Sequence, residues 1–319
     1  MMNTVFLDRD TFNQNVDLSA IELQSSSLRC YSMTQQDQVV ERCRDAHCII
    51  SNKVLLSAAN LKQLPNLKLV CIAATGTNNI DLPAAKALGI AVVNVAGYAK
   101  HTVPQYVFAQ ILAYYSKTEQ HNRNTQQGLW SQSEIFCVLG EPMYQLANKI
   151  LGLIGYGALA QEVEKIALAF DMQVLIAEHQ GATTIRHGRV SFEQLLSDSD
   201  IISLHCPQTP ETTGLINQAV LQKMKPSAML INTARGALID NQALLTALQT
   251  KQIAYAVLDV LEQEPPPKDH ILLNAGLDNL TITAHIAWAC QEAQQELINI
   301  IGQNIQSFKQ GGGLNRLVS

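Results

Sequence analysis

Short apolar runs alternate along this chain with stretches in which apolar residues recur every three to four positions. Before Val95 the runs cover residues 5–7, 48–50, 67–73 and 90–95, with helical patterns at 36–44 and 82–88 between them. After residue 149 the runs cover 150–154, 174–177, 201–205, 229–232, 254–258 and 280–283. Apolar runs without polar alternation mark strands buried on both faces, and strands that alternate with helices build parallel sheets. The pattern predicts an α/β fold of two doubly wound parallel-sheet units. A long helical pattern from residue 103 to about 122 joins them, and a closing helix over 292–308 could return to the first unit. Residues 123–148 have no clear period and are too long for an ordinary connection, so they read as an arm over a partner or a cleft. The tail, GGGLNRLVS, reads as loose.

Composition narrows the class. Hydrophobic residues make up 47% of the 319 and charged residues 15%, enough to fill large cores and too apolar for disorder. The net charge of −5 comes without a basic run, which argues against nucleic acid as a partner. The first residues, MMNTVFLDRD, do not follow a signal-peptide pattern, and no apolar run has the length of a membrane span. Cys30, Cys43, Cys48, Cys71, Cys137, Cys206 and Cys290 form no C-x-x-C pair. They are expected to be reduced thiols of a cytoplasmic protein, with no metal site.

The most informative stretch is KILGLIGYGALA, residues 149–160. A buried-strand run leads into Gly155, Gly157 and Ala160, spaced as in the G-x-G-x-x-G/A turn that binds dinucleotides. The first glycine permits the tight turn, the second lets backbone approach a pyrophosphate, and the third small residue lets the next helix pack closely. That helix, over 158–170, would direct its N-terminal N–H groups at the phosphates. A second strand then ends at Glu178, about 20 residues beyond Gly157, where an acid commonly holds a ribose 2′-hydroxyl.

Polar residues at strand ends carry the remaining chemistry. Arg235 follows MLINTA, Asp259 follows AYAVL and His285 follows LTITA, and the carboxyl ends of parallel strands open onto the ligand crevice. Glu264 lies beyond Asp259 in the proline-rich turn LEQEPPP. A histidine with a carboxylate beside it suits acid–base work. Each residue also has a plainer reading: Arg235 at the surface, His285 as a satisfied sheet-end histidine, Glu264 in a solvated loop, Asp259 as a turn cap. The other histidines show no metal-ligand spacing, and only His101 and His205 are placed near the crevice.

Longer motifs bring a resemblance that runs nearly end to end. They are AATGTNNIDL at 73–82, LGLIGYGALA at 151–160, SDIISLHCPQTPETTGLIN at 199–217, LINTARGALID at 230–240, AVLDVLEQEPP at 256–266 and ITAHIAWA at 282–289. In these the chain resembles the NAD-dependent D-2-hydroxyacid dehydrogenases. FLDRDTF at 6–12, NKVLLS at 52–57 and Trp288 make it most similar to their bacterial glycerate dehydrogenase or hydroxypyruvate reductase branch.

The resemblance implies a Rossmann nucleotide-binding domain, 98–289, inserted in a flavodoxin-like substrate domain made of 1–97 and 290–319. It makes 123–148 a dimer arm, and so implies a homodimer. It gives Arg235 the substrate carboxylate and C2 oxygen, His285 the proton, and Glu264 a hydrogen bond to His285. Thr75, Gly76 and Thr77 would bind the carboxylate through backbone N–H groups. The cofactor would meet Gly155, Tyr156, Gly157, Ala158, Leu159, Glu178, His205, Cys206, Pro207, Thr233, Ala234, Arg235 and Asp259, the last at its nicotinamide end. The implied activity is reduction of hydroxypyruvate or glyoxylate with NADH.

Some positions depart from the family pattern: Ala284 replaces the usual proline before the catalytic histidine, and Glu178 stands where aspartate is commoner. An acid at 178 repels a 2′-phosphate, which favours NAD over NADP, and Arg186 and Arg189 read as exposed surface. The alternative is a corepressor-like protein that senses NAD(H) on the same fold.

Overall fold

Each apolar run expected to be a strand forms one. The computed structural model describes residues 2–318, which divide into two units: residues up to Ala99 together with those from Trp288 onward, and Lys100–Ala287. Unit 1 holds β1 (Asn3–Phe6), β2 (Ser27–Cys30), β3 (Cys48–Ser51), β4 (Leu69–Ile72), β5 (Ala91–Val93) and β12 (Arg316–Val318), in the order β12-β5-β4-β3-β1-β2. Unit 2 holds β6 (Ile150–Ile154), β7 (Gln173–Ile176), β8 (Ile201–Leu204), β9 (Met229–Asn232), β10 (Tyr255–Leu258) and β11 (Leu280–Ile282), in the order β11-β10-β9-β8-β6-β7. All pairings are parallel except β12 with β5. Strands β3, β4, β8 and β9 are buried at every residue, as the unbroken apolar runs require.

Three expectations need correction. The tail is not loose: Arg316 pairs with Val93 and Val318 with Val92, and the Arg316 guanidinium lies over the Phe308 ring. Strand β2 escaped the pattern because it is an edge strand with mostly exposed residues and no apolar run. The joining helix is two helices, α1 (Thr102–Ser116) and α2 (Thr118–Gln126). Lys117 separates them with φ +50°, its N–H donating to Ala113 O, the left-handed cap that ends many helices. Buried apolar positions stop at Tyr115, so α2 has no apolar face to keep it in line with α1.

The register of the unit 2 sheet positions the site. Ile154 pairs with Leu204, Leu204 with Asn232, Asn232 with Leu258, and Leu258 with Ile282. Five strands therefore end level with one another. The sheet order turns at β6, with β7 on one side and β8 on the other, the switch point at which open α/β sheets bind ligands. Helix α3 (Ala158–Ala169) follows β6. In unit 1 the closing helix α4 (Gln291–Lys309) buries Leu297, Ile298, Ile301 and Ile305 against Phe6, Ile50 and Cys71.

Candidate active site

The turn after β6 needs its glycines for two different reasons. Gly155 has φ +90°, and a Cβ there would lie 2.5 Å from Cys206 N and 2.7 Å from His205 O, because β6 and β8 end level. A Cβ on Gly157 would meet nothing within 4 Å, so backbone at this position faces open space of the kind a pyrophosphate fills. Gly157 is the N-cap of α3 and offers no side chain to its first-turn N–H groups. Ala158 and Leu159 open the helix and fully buried Ala160 packs it down. An uncapped helix start over open space is a ready phosphate site. The Tyr156 hydroxyl donates to Glu164.

Glu178 follows the end of β7 and is 4% exposed. Its carboxylate accepts from His179 N at 2.9 Å, from Arg186 N at 3.3 Å and Arg186 Nε at 2.7 Å, and also from Arg186 Nη2. These bonds, those from the Arg186 side chain foremost, hold it well below the usual carboxylate range. At the end of β8, burial pushes the His205 imidazole down to about 4, so it stays neutral, with Nε2 2.9 Å from Ser203 Oγ. Burial also raises the neighbouring Cys206 thiol, which Pro207 follows. At the end of β9, Thr233 Oγ1 is buried without a hydrogen-bond partner among the described residues. A buried hydroxyl of that kind is what a bound polar group would complete. These observations fit a dinucleotide.

The Arg235, Glu264 and His285 side chains all belong to unit 2. His285 Nδ1 stands 2.6 Å from Glu264 Oε2, and Leu261 N donates to the other carboxylate oxygen at 3.1 Å. Glu264 thus has its orientation fixed at one oxygen and holds the imidazole with the other, leaving Nε2 to exchange a proton. His285 has φ +55°, unusual for a residue with a Cβ. Its loop is held from below by Asp259, which is 1% exposed. Asp259 O accepts from His285 N at 2.7 Å, and its carboxylate accepts from Ile286 N at 2.9 Å, Ala287 N at 2.8 Å and Thr283 Oγ1 at 2.7 Å. The structure therefore engages Asp259 as a brace for the His285 loop.

Arg235 sits on a turn built by Asn232, a fully buried side chain. Asn232 Nδ2 donates to Arg235 O at 2.8 Å and Oδ1 accepts from Ala234 N at 3.0 Å. Gly236 then packs directly on the chain that leads to Glu264: a Cβ there would lie 1.9 Å from the Leu261 carbonyl carbon and 2.3 Å from Glu262 N. A second pair steadies that loop. Buried His270 accepts from Leu272 N through Nδ1 and places Nε2 3.2 Å from both Glu262 oxygens. The bracing roles of Asn232 and His270 were missed by the sequence reading. Asn232 could have been noticed as the polar residue ending the apolar strand MLIN.

Thr75, Gly76 and Thr77 lie in unit 1, in the loop after β4. Thr75 Oγ1 donates to Val95 O at 2.8 Å, and Asn94 Nδ2 donates to Thr75 O at 2.8 Å, which ties this loop to the end of β5. His101 is exposed at the start of α1. Among the described residues no three His, Cys, Asp or Glu side chains stand together as metal ligands, and no helix is long and apolar enough to cross a membrane.

Unit 2 thus carries a glycine turn at an uncapped helix start, a guanidinium on the turn after β9 and a hydrogen-bonded histidine–carboxylate pair. Residues 108–287 match the family model described as the NAD binding domain of D-isomer specific 2-hydroxyacid dehydrogenases. The chain is 41% identical to a glycerate dehydrogenase of Methylorubrum extorquens, over 96% of each chain. It is 35% identical to a hydroxypyruvate reductase of Blautia hydrogenotrophica, over 89% of this chain and 88% of that one. A D-lactate dehydrogenase of Aquifex aeolicus, solved with NAD and lactic acid, superposes with a TM-score of 0.81 at 27% identity over 99% of both chains. The chain belongs to the D-isomer specific 2-hydroxyacid dehydrogenases, NAD-dependent oxidoreductases that act on the CH–OH group of 2-hydroxy acids.

Proposed function

We propose that this dehydrogenase reduces hydroxypyruvate to D-glycerate, and glyoxylate to glycolate, with His285 as its general acid and base. The observation that carries the reading is the His285–Glu264 pair at 2.6 Å, on a loop packed directly against the Arg235 turn through Gly236. The names of the relatives from Methylorubrum extorquens and Blautia hydrogenotrophica support the choice of substrate.

Bound NADH supplies the hydride for C2. Arg235 grips the substrate carboxylate with its planar fork and draws charge toward the C2 oxygen. His285 Nε2 gives its proton to that oxygen as negative charge develops there, and takes it back in the oxidative direction. Glu264 fixes the ring, since Nδ1 is committed to it. The Thr75–Gly76–Thr77 loop of unit 1 is proposed separately to offer backbone N–H groups to a carboxylate. A protein that only sensed the nucleotide would have no use for the Glu264–His285 pair.

The arm over 123–148 exposes Trp130, Ile135, Phe136 and Leu139, with Phe136 at 89%, an apolar set suited to a second copy of the chain. We infer a cytoplasmic homodimer, a setting in which free thiols such as buried Cys43, Cys48 and Cys71 stay reduced.

The test is NADH oxidation with hydroxypyruvate, run beside glyoxylate and pyruvate. His285→Ala should lower kcat by about a hundredfold or more, the usual worth of a positioned acid–base group, while NADH still binds. Arg235→Lys should lose both KM and kcat. Normal turnover by His285→Ala would remove the histidine from the mechanism, and inactivity of the wild-type enzyme toward every 2-keto acid would end the substrate reading.

A further inference from the structure

Helix α1 reaches the turn that carries His285 through Tyr106. The phenol hydroxyl bonds Thr283 Oγ1, and Thr283 Oγ1 stands 2.7 Å from Asp259 Oδ1. All three residues, and His285, belong to unit 2. Gln110, one turn further along α1, bonds the same phenol. The helix is a firm platform: Val103, Val107 and Ile111 are buried, and the Phe108 ring stacks on Phe170 with centroids 5.7 Å apart.

Counting protons fixes the direction of this chain. The Asp259 carboxylate only accepts, and it already takes N–H bonds from Ile286 and Ala287. The single Thr283 hydroxyl proton is therefore committed to Asp259, and the bond between the two hydroxyls must be donated by Tyr106. The Tyr106 proton is committed in turn, so Gln110 donates to the phenol oxygen. Burial, with a smaller push from the Asp259 charge, raises the phenol above its ordinary value and keeps that proton in place. Each hydroxyl accepts on one side and donates on the other, which leaves neither free to rotate.

The far end of the chain bears on the reaction. Asp259 holds Ile286 N and Ala287 N just after His285, and Thr283 stands just before Ala284. His285 has φ +55°, a conformation that persists only where the surroundings over-determine it. A carboxylate that serves two N–H groups at once must keep its plane. The Thr283 hydroxyl that helps to fix that plane is itself held by Tyr106.

We propose that Tyr106 is a positioning residue for proton transfer by His285: through Thr283 it aligns the Asp259 carboxylate that secures the His285 turn. The proposal rests on His285 being the general acid and base.

The test is a double-mutant cycle on kcat with hydroxypyruvate and NADH. NADH affinity by fluorescence titration and stability by urea unfolding are measured on each variant. Tyr106→Phe removes one hydroxyl and should lower kcat by roughly three- to tenfold, the worth of one hydrogen bond. NADH affinity should hold, and KM for hydroxypyruvate should change less than kcat. Thr283→Val breaks the chain at its next link and should lower kcat at least as much, whereas Thr283→Ser, which keeps the hydroxyl, should retain most of the rate. In the Thr283→Val background, Tyr106→Phe should cost almost nothing further. Wild-type kcat in Tyr106→Phe, whatever its urea midpoint, or fully additive losses in the double variant would overturn the proposal. So would a loss confined to NADH affinity, which would put the phenol on the cofactor instead. Should Tyr106→Phe fail to fold, Thr283→Val still decides it, because wild-type kcat there removes the path by which Tyr106 acts. Normal turnover by His285→Ala, or no turnover of any 2-keto acid by the wild-type enzyme, would instead fell the reading beneath the proposal; a normal Tyr106→Phe enzyme leaves that reading standing.

Discussion

Gly236→Ala offers the sharpest test of how the reacting groups are held. The added methyl would stand 1.9 Å from the Leu261 carbonyl carbon, 2.2 Å from its oxygen and 2.3 Å from Glu262 N, where ordinary contact begins at 3.4 Å. Backbone on one side or the other must move by about 1.5 Å, and neither side is a flexible side chain. On one side is Arg235; on the other, Leu261 N holds Glu264 Oε1 at 3.1 Å. A 2.6 Å bond from Glu264 to His285 does not survive a shift of that size unless the His285 loop follows, and Asp259 fixes that loop through three backbone N–H groups. Misplacement by about 1 Å costs near a hundredfold in rate, or about 2.7 kcal/mol of barrier. The assay is steady-state NADH oxidation with hydroxypyruvate, with NADH titrated separately to show that the Gly155 turn is intact. The expected result is a folded, NADH-binding protein with kcat down about a hundredfold. A folded Gly236→Ala enzyme with wild-type kcat would refute the claim that the two turns position one another.

Two further outcomes follow from buried groups. Asp259→Asn should destabilise the protein by about 3 kcal/mol in urea unfolding, because an amide cannot accept from Ile286 N, Ala287 N and Thr283 Oγ1 as the carboxylate does; an unchanged midpoint would mean that Asp259 serves the cofactor and not the loop. The His205 imidazole, pushed from its ordinary 6.5 down to about 4 by burial, takes a proton in the unfolded chain before it does in the folded one. Its contribution is therefore complete above about pH 6.5 and is lost as pH falls toward 4. Melting temperatures taken across that range should fall more steeply for the wild-type protein than for His205→Gln, and parallel curves would contradict the burial argument.

What the sequence made legible was whatever burial on both faces imposes. Strands such as CIIS, LVCI, IISL and MLIN are mostly apolar because both faces are buried, and the few polar residues they hold, Ser51, Ser203 and Asn232, are hydrogen-bonded, whereas the edge strand SLRC and the closing RLV carry little such constraint and read as nothing in particular. The break at Lys117 was hidden because helical periodicity does not record where the helix axis turns. Among the site residues, Arg235 and His285 were visible as polar residues beyond apolar strands. The contact between Glu264 and His285 was expected only from the family resemblance, since the residues alone do not give the path of a proline-rich loop. Asp259 was legible as a strand-end carboxylate, but its acceptance of backbone N–H groups depends on a left-handed His285 that no local preference predicts. Arg186 is exposed, as the sequence implies, but its bond to Glu178 was hidden: seven residues of irregular loop separate the two, and only the fold brings them together.

The level strand ends explain why the chemistry stands where it does. The residues just past the row Ile154, Leu204, Asn232, Leu258 and Ile282 are Gly155, His205, Thr233, Asp259 and Thr283. Adjacent strands are so close at this level that most of its members engage one another: Gly155 makes way for His205, and Thr283 bonds Asp259, while Thr233 Oγ1 is left without a partner among the described residues. Room for a ligand opens further along, and Arg235 and His285 each stand two residues beyond Thr233 and Thr283, with Ala234 and Ala284 between. They leave strands β9 and β11, on either side of β10, and the backbone of Asp259 at the end of β10 reaches both ways. Its N–H donates to Asn232 O at 2.9 Å and its carbonyl accepts from His285 N at 2.7 Å. Where a proline before the histidine would restrict the chain by its ring, alanine leaves that restriction to Asp259. The histidine's backbone is thus held by a neighbouring strand end, and the arginine turn is tied to the same strand, so the sheet sets where Arg235 and His285 leave it.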